Sequence, residues 1–215
     1  AWQEPDAEPA PFRAAGRALA ALHACAIDPG RTWRAEDETA VALRALDAAA
    51  ARHPEAAGRI ARLRARAAAL PSLDLPTRPG LLHRDFYPDQ ALVDGARLWL
   101  IDLDLAATGD AHVDLGNMLA HLTEHAIRHH GNAFALSAQA DAFLQGYGEG
   151  GGSWCERSLS ALHAVSLMRH LEICGRLPGR SSAFAGLLEH LLTAAAAEEP
   201  RRQARRPFSA SGILH

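Results

Sequence analysis

Residues 81–104 read LLHRDFYPDQALVDGARLWLIDLD, and this stretch decides the fold around it. Residues 91–93 and 97–101 have the apolar composition of strands and flank Asp94-Gly95, a strong signal for a two-residue hairpin turn. A turn there pairs positions whose numbers sum to about 189, so that Asp102 faces about residue 87. The segments HRDFYPDQ and IDLD are therefore predicted to meet at the open end of one hairpin.

Four carboxylates and one amide are predicted to converge at that open end: Asp85, Asp89, Asp102, Asp104 and Gln90. Crowded carboxylates repel each other unless a cation lies between them, and oxygen ligands of this kind suit Mg²⁺. A carboxylate, an amide a few residues later and a second carboxylate after the next strand form the layout that phosphoryl transfer needs. The first orients and deprotonates the attacking hydroxyl, while the other two hold the metal ion on the nucleotide phosphates.

The composition excludes several classes of protein. All 22 residues counted as lysine or arginine are arginines, so chemistry that needs a lysine of this chain, such as a Schiff base or a P-loop, is excluded. The net charge of −3 argues against a general nucleic-acid binder, and no apolar run is long enough to cross a membrane. Three scattered cysteines indicate reduced thiols. We therefore predict a cytoplasmic protein that binds neither nucleic acid nor a membrane.

The rest of the chain has the apolar periodicity of helices. Residues 1–11 are predicted to be an extended entry, because prolines and acidic residues alternate there, and residues 200–215 a disordered tail. Between them lies a predicted helical domain, 12–199, which carries the catalytic hairpin at 81–104. Its helices are predicted at 12–25, 36–52, 54–70, 112–130, 133–147, 154–175 and 181–198. We interpret the glycine-rich segment 146–152 as a flexible linker, and Trp99 and Trp154 as core residues.

Three motifs occur in this chain in a fixed order and at matching spacing. The pattern H-x-D-x-x-x-x-N is matched by His83, Asp85 and Gln90, the pattern I-D-x-[acidic or Gly] by 101–104, and G-D-x-x-x-D-L by 109–115. Together with the helix AAGRALAALHA at 14–24, they resemble the catalytic core of the aminoglycoside phosphotransferase and choline kinase family, a branch of the protein-kinase-like fold. The resemblance covers about residues 12–122 and implies a mainly α large lobe with a small β-hairpin.

The resemblance implies a role for each matched side chain. Asp85 would be the catalytic base, Gln90 and Asp102 would bind Mg²⁺, and Asp104 would bind a second metal ion or support the first. His83 and Asp114 would brace the catalytic loop through hydrogen bonds. Gln90 stands where the family has asparagine, and its extra methylene moves the ligand oxygen, so we expect altered metal affinity and not its loss.

The family's small N-terminal lobe, with its sheet, its phosphate-covering loop and its lysine, has no counterpart in this sequence. The chain resembles the large C-terminal lobe alone, and residues 1–11 would be the tail of the hinge between the lobes. The implied function is an ATP- and Mg²⁺-dependent phosphotransferase whose acceptor is a hydroxyl of a small polar molecule such as an aminoglycoside, an amino alcohol or a sugar. Without the small lobe, we expect the 215-residue chain to have little activity alone.

Two other functions stay open at this point, as do the acceptor, the choice between ATP and GTP, and the oligomeric state. A non-catalytic kinase-like binding or regulatory module would keep the fold without the nucleotide clamp. A helical metal-binding protein would use His121, His125 and His129, which lie four apart on one predicted helix face, although a polar helix face is the plainer interpretation. Acidic candidates for acceptor binding, by loose resemblance only, are Glu124, Asp141, Glu149 and Glu172.

Overall fold

A computed structural model describes residues 4–70, 76–94 and 97–203 of the chain. The helices of this part are α1 (Ala10–His23), α2 (Ala35–Arg52), α3 (Ala57–Ala68), α4 (His112–His130), α5 (Ser137–Glu149), α6 (Glu156–Arg176) and α7 (Ala183–Gln203). The strands are β1 (Thr32–Trp33), β2 (Pro79–Leu82), β3 (Ala91–Asp94), β4 (Arg97–Leu100) and β5 (Ala107–Asp110). The prediction of a mainly α lobe with a small β-hairpin is confirmed.

The helix boundaries agree with the predicted ones where the local signal is strong and differ elsewhere. α4 begins and ends as predicted. It ends at His130 because Gly131 adopts a left-handed φ of 64° and its N–H donates to the Ile127 carbonyl. α1 begins at Ala10, earlier than predicted, because Pro11 fits the first turn of a helix. α7 continues through Gln203, beyond its predicted end at 198. The rest of the predicted tail, 204–215, lies outside the described residues.

A second sheet, which was not predicted, has the strand order β1-β5-β2. β1 runs parallel to β5, and β2 pairs antiparallel with β5, with Leu82 opposite Ala107. Gly109 lets the strands approach closely, since an added Cβ would collide with the Trp33 carbonyl oxygen. The sheet thereby sets the end of β2 beside the start of α4. The loop that follows β2, residues 83–90, is the predicted catalytic loop and is called the catalytic loop below.

The predicted hairpin exists, but its predicted register is wrong by two residues. β3 and β4 pair from Ala91↔Leu100 to Asp94↔Arg97, so the connecting residues are 95 and 96, which lie outside the described residues. The side-chain pattern of a strand repeats every two residues, so a two-residue shift keeps every side chain on its own face. The apolar pattern of the sequence therefore cannot distinguish the two registers.

Two groups of buried side chains form the core. One lies mainly among α2, α3, α6 and α7, and the other among α1, α4 and α5 with Phe86 of the catalytic loop. α1 and α5 come very close, since a Cβ on Gly16 would collide with the Phe143 carbonyl oxygen and one on Gly146 with that of Arg13. The linker interpretation of 146–152 is therefore wrong for its first half, because α5 extends to Glu149 and packs through Gly146.

Trp99 is not a core residue, since 56% of it is exposed. It pairs across the hairpin with Leu92, which is also exposed, on the face that turns away from the lobe. The hairpin and the segment after it carry several exposed apolar residues, here called the hairpin apolar surface: Leu92, Val93, Trp99, Ile101, Leu103 and Leu105. Trp154, in contrast, packs against the second core group as predicted. No described helix is long and apolar enough to span a membrane.

Candidate active site

The catalytic loop leaves β2 through a strained residue. Arg84 has a φ of 73°, a left-handed conformation that costs a residue with a Cβ about 1 kcal/mol or more. Its neighbours hold this conformation, because His83 and Phe86 have no exposed surface. Asp85 remains partly exposed between them, and a 3₁₀ turn at Pro88–Gln90 leads the chain into β3.

One buried carboxylate holds this turn. Asp114, in the first turn of α4, has no exposed surface and accepts hydrogen bonds from the backbone N–H groups of His83 and Arg84, both at 2.7 Å. The ring of His23, at the end of α1, lies 3.0 Å from the same carboxylate. Hydrogen bonds to a charged acceptor are stronger than neutral ones. The conformation that presents Asp85 is therefore attached to α4 and to α1 at a single point.

Other buried polar groups attach the loop on its remaining sides. Nε2 of His83 lies 2.8 Å from the carbonyl oxygen of Ile101, and Nδ2 of Asn117 donates to the carbonyl of Phe86 at 3.1 Å. His23 also reaches the hydroxyl of Tyr147 at 2.9 Å. No role for His23, Asn117 or Tyr147 was predicted from the sequence. The only signal for Asn117 was its position three residues after Asp114, which puts both on one helix face.

Gln90 and Asp102, the two predicted metal ligands, lie next to each other. Gln90 Nε2 lies 3.5 Å from Asp102 Oδ2. The backbone N–H of Ile101 donates to the backbone carbonyl of Gln90 at 3.1 Å. Asp102 has a left-handed φ of 61°, and both it and Asp104 are exposed at the end of the hairpin. Rotation of the Gln90 amide would present its oxygen beside the carboxylate. These two oxygen donors fit Mg²⁺, which uses one or two protein ligands and takes the rest from phosphates and water.

The electrostatic setting of Asp85 suits a proton acceptor. Burial raises the pKa of this carboxyl above its ordinary value of 3.8, and Asp102 and Asp114 add to the increase. Arg169 and His83 oppose it. Because basicity rises with pKa, Asp85 accepts a proton more readily than an exposed aspartate does.

Two arginines hold the segment that carries Asp102 and Asp104. Arg84 donates to the carbonyl of Leu105 at 3.2 Å, and Arg31, before β1, donates to the carbonyl of Asp104 at 2.7 Å. The guanidinium of Arg84 also lies 3.4 Å above the centre of the Trp33 ring. Neither arginine was singled out from the sequence, because these contacts join parts of the chain that are far apart.

The three histidines predicted to share one face of α4, His121, His125 and His129, do not form one group. His121 stacks on Tyr87 of the catalytic loop at 4.5 Å between ring centres, whereas His125 lies 4.3 Å from His129. Within the residues that the structure describes, no three histidine, cysteine, aspartate or glutamate side chains are placed to hold a metal ion. The predicted convergence of Asp85, Asp89, Asp102 and Asp104 is therefore wrong as a group, and only Gln90 and Asp102 lie together. The geometry therefore gives no support to a helical metal-binding protein.

The acidic candidates for acceptor binding are occupied or exposed. Glu124 is buried and accepts a hydrogen bond from Arg128 at 2.9 Å. Glu149 pairs with arginines of α1 at the surface, and Glu172 pairs with Arg176 of its own helix. Asp141 is exposed on α5. These contacts indicate structural or surface roles for Glu124, Glu149 and Glu172.

Solved structures of kinases share this fold. A glucosamine kinase in complex with glucosamine, ADP and inorganic phosphate is 21% identical, with a TM-score of 0.64 over 93% of this chain and 58% of that one. A choline/ethanolamine kinase family protein from Mesorhizobium loti is 18% identical, with a TM-score of 0.54 over 90% of this chain and 63% of that one. A spectinomycin phosphotransferase in complex with ADP and spectinomycin is 13% identical, with a TM-score of 0.57 over 88% and 67%. No curated protein sequence matches.

The helical lobe, with its catalytic loop, buried Asp114 and acidic hairpin end, defines a lobe of the kinase-like class. The model of the family described as "Phosphotransferase enzyme family" (APH) matches residues 1–162, which is most of the chain. The chain therefore belongs to the phosphotransferase enzyme family. It spans 58% of the length of the glucosamine kinase that it resembles.

Proposed function

We propose that this protein is an ATP- and Mg²⁺-dependent phosphotransferase, acting on a hydroxyl of a small polar molecule such as an amino alcohol, a sugar or an aminoglycoside. One observation carries the proposal: the buried Asp114 holds the strained turn that presents Asp85, while Gln90 and Asp102 lie together at the end of the adjoining hairpin. A base beside a pair of oxygen ligands is the arrangement that phosphoryl transfer requires.

Asp85 is the base of the proposed reaction. Its carboxylate accepts a hydrogen bond from the acceptor hydroxyl and takes the proton as the oxygen attacks the γ-phosphorus. The new O–P bond forms while the bond from phosphorus to the ADP oxygen breaks. The raised pKa of Asp85 favours this proton transfer, and the left-handed Arg84 turn fixes the position of the carboxylate.

Gln90 and Asp102 are the proposed ligands of Mg²⁺, and Asp104 lies two residues further along the same exposed segment. When bound, the ion supplies positive charge against the nucleotide phosphates. The hydrogen bonds from Arg84 and Arg31 to the backbone of this segment limit its movement, so that its carboxylates would hold the ion without a large ordering cost.

The hairpin apolar surface is the proposed seat of the nucleotide base and of a small N-terminal lobe of the kind that the family carries. Several exposed apolar residues in one short segment favour a binding surface there. The chain covers 58% of the glucosamine kinase and 67% of the spectinomycin phosphotransferase, both described with ADP. We expect the 215 residues alone to transfer phosphoryl groups about 10³-fold more slowly than a two-lobed form, since half of the nucleotide clamp would be lacking.

The test compares Asp85→Asn with Asp47→Asn in the natural gene product. Asp47 pairs with Arg64 at the surface and serves as the matched control. We expect Asp85→Asn to lower acceptor-dependent ADP formation by about 10² to 10⁴-fold, with Mg²⁺–nucleotide binding preserved, and Asp47→Asn to have no effect.

An Asp85→Asn variant with undiminished turnover would refute the assigned base. Wild-type protein that binds no Mg²⁺–nucleotide and transfers nothing to any hydroxyl would favour the non-catalytic module instead. That second reading is favoured by one observation in the chain, the glutamine at position 90 in the place of the family's asparagine.

A further inference from the structure

The short strand β1, with the residue before it, contacts both halves of the candidate active site. The ring of Trp33 lies under the guanidinium of Arg84, with 3.4 Å between Cζ and the ring centre, and Arg84 directly precedes Asp85. Arg31, two residues before Trp33, donates to the carbonyl of Asp104 at 2.7 Å. Side chains two positions apart on an extended chain lie on the same face, so both contacts come from one face of this segment.

The backbone of β1 is held on one side by the sheet and is continued by a helix. The carbonyl of Arg31 accepts from the backbone N–H of Thr108 at 2.9 Å, and Trp33 pairs with Gly109 of β5. The helix α2 begins two residues after Trp33, at Ala35. The sheet and the helix therefore fix the position from which the Trp33 side chain extends.

A buried carboxylate fixes the orientation of the indole ring. The N–H of Trp33 donates to Oε1 of Glu38, in the first turn of α2, at 2.7 Å, and Glu38 is almost fully buried. The ring also packs against the core group of α2, α3, α6 and α7. Hydrogen bonds to a charged acceptor are stronger than neutral ones. Trp33 therefore presents a fixed aromatic face to Arg84.

Arg84 connects this face to both parts of the site. Its backbone N–H donates to Asp114 at 2.7 Å, and its φ of 73° sets the direction in which the chain continues to Asp85. Its guanidinium donates to the carbonyl of Leu105 at 3.2 Å. An arginine side chain has many rotamers, and a cation–π contact with a fixed ring favours the one that reaches Leu105.

We propose that Trp33 is a positioning residue of the phosphoryl transfer: its ring holds Arg84 in the rotamer that keeps the proposed metal-binding segment, 102–105, in place relative to Asp85. The proposal rests on the phosphotransferase function proposed above and adds a residue that acts through Arg84. Correct spacing of the base and the metal ligands matters because a misplacement of about 1 Å can cost roughly 10²-fold in rate.

The test is a double-variant cycle in the natural gene product: Trp33→Leu, Arg84→Gln and the two together. Turnover is measured as acceptor-dependent ADP formation with ethanolamine, glucose and kanamycin, one for each proposed acceptor class. We expect Trp33→Leu to lower kcat about 10- to 100-fold and to change the KM for ATP and for the acceptor by less than about twofold. Trp33→Phe, which keeps an aromatic face, should retain most of the wild-type kcat.

The double variant distinguishes a role through Arg84 from a separate effect on packing. If the ring acts by holding Arg84, the double variant should be as slow as Arg84→Gln alone, because no guanidinium is left to hold. Independent effects on kcat would multiply instead. Trp33→Met, which fills similar space without a ring, replaces Trp33→Leu in the cycle if the leucine variant does not fold.

Hydrogen exchange without nucleotide or Mg²⁺ gives a second readout that does not depend on activity. The N–H of Ala106 donates to the carbonyl of Leu103 at 2.9 Å and so reports the order of the segment that Arg84 holds. We expect Trp33→Leu and Arg84→Gln each to speed the exchange of this amide about tenfold.

Phe184→Leu is the matched control, because Phe184 is a buried aromatic residue of the same core group. It should lower the melting temperature, as Trp33→Leu does, but leave kcat and the exchange of the Ala106 amide as in wild type. A loss of kcat in this control as large as that in Trp33→Leu would reduce the role of Trp33 to packing and overturn the inference.

Two further outcomes would contradict the proposal and leave the phosphotransferase function standing. One is a Trp33→Leu variant with the kcat and the Ala106 exchange of wild type. The other is a double variant in which the two losses of kcat multiply, since the ring would then act without Arg84. Wild-type protein that phosphorylates none of the three acceptors would overturn the proposed function, and this inference with it.

Discussion

Replacement of Asp114 by asparagine tests the central structural contact of the candidate site. The carboxylate receives the N–H groups of His83 and Arg84 on separate oxygens and the ring of His23. An asparagine keeps one oxygen, so at least one backbone N–H must face an amide NH₂ group in a fully buried position. A buried donor without an acceptor costs about 1–3 kcal/mol, and the remaining bonds lose their charge-assisted part. We expect a loss of about 2–4 kcal/mol of unfolding free energy.

For a domain of this size, each kcal/mol lowers the melting temperature by roughly 2–4 °C, so the midpoint should fall by roughly 4–16 °C. Urea unfolding gives the free energy directly, and hydrogen exchange reports the amides of His83 and Arg84 one by one. The control is Asp47→Asn, which loses a surface pair with Arg64 worth about 0–1 kcal/mol. Neutral surface changes scatter by about 0.5 kcal/mol. An unfolding free energy of Asp114→Asn within that range of the wild-type value, with both amides still protected, would refute this account of the loop.

Three further predictions follow from single contacts. Activity should fall as the pH drops through the raised pKa of Asp85, which lies above 3.8. Arg169→Gln should move this acidic side of the pH profile to higher pH, because the variant lacks a cation that lowers the pKa of Asp85. A pH profile of kcat/KM measures both effects. Gly146→Ala should destabilise the protein by about 1–3 kcal/mol in thermal unfolding because its Cβ meets the backbone of α1, whereas Gly58→Ala, with open space around it, should stabilise the protein. Arg84→Gly should relieve the left-handed φ and preserve stability, and it should lower kcat because the hydrogen bond to the proposed metal-binding segment is lost. An unchanged kcat would exclude that positioning role.

Much of the candidate site could be predicted because its key residues lie close together in the sequence. Gln90 and Asp102 flank one hairpin, so local spacing alone indicates that these two side chains meet. The long helix α4 was equally predictable, since apolar periodicity and a terminal glycine are local signals. For the same reason the family resemblance, which rests on short ordered motifs, agrees with the family match over residues 1–162.

Where the same local pattern allowed two structures, prediction from the sequence was wrong. The hairpin register is one case, because a shift by two residues leaves each side chain on its face. Trp99 is another: its size suggested the core, but its strand position puts it on the outer face. Gly146 is a third, since a glycine permits both a flexible linker and a close helix contact, and only the neighbouring helix α1 decides between them.

By itself the sequence determined the helical class, the order of the motifs and the absence of any lysine from this chain. Only the tertiary structure decided what surrounds the catalytic loop: His23 against Asp114, Trp33 under Arg84, and Asn117 against the carbonyl of Phe86. These contacts join residues that are far apart in the sequence. Their formation depends on how whole helices pack, and packing geometry is a property of the assembled core that no local pattern of residues contains.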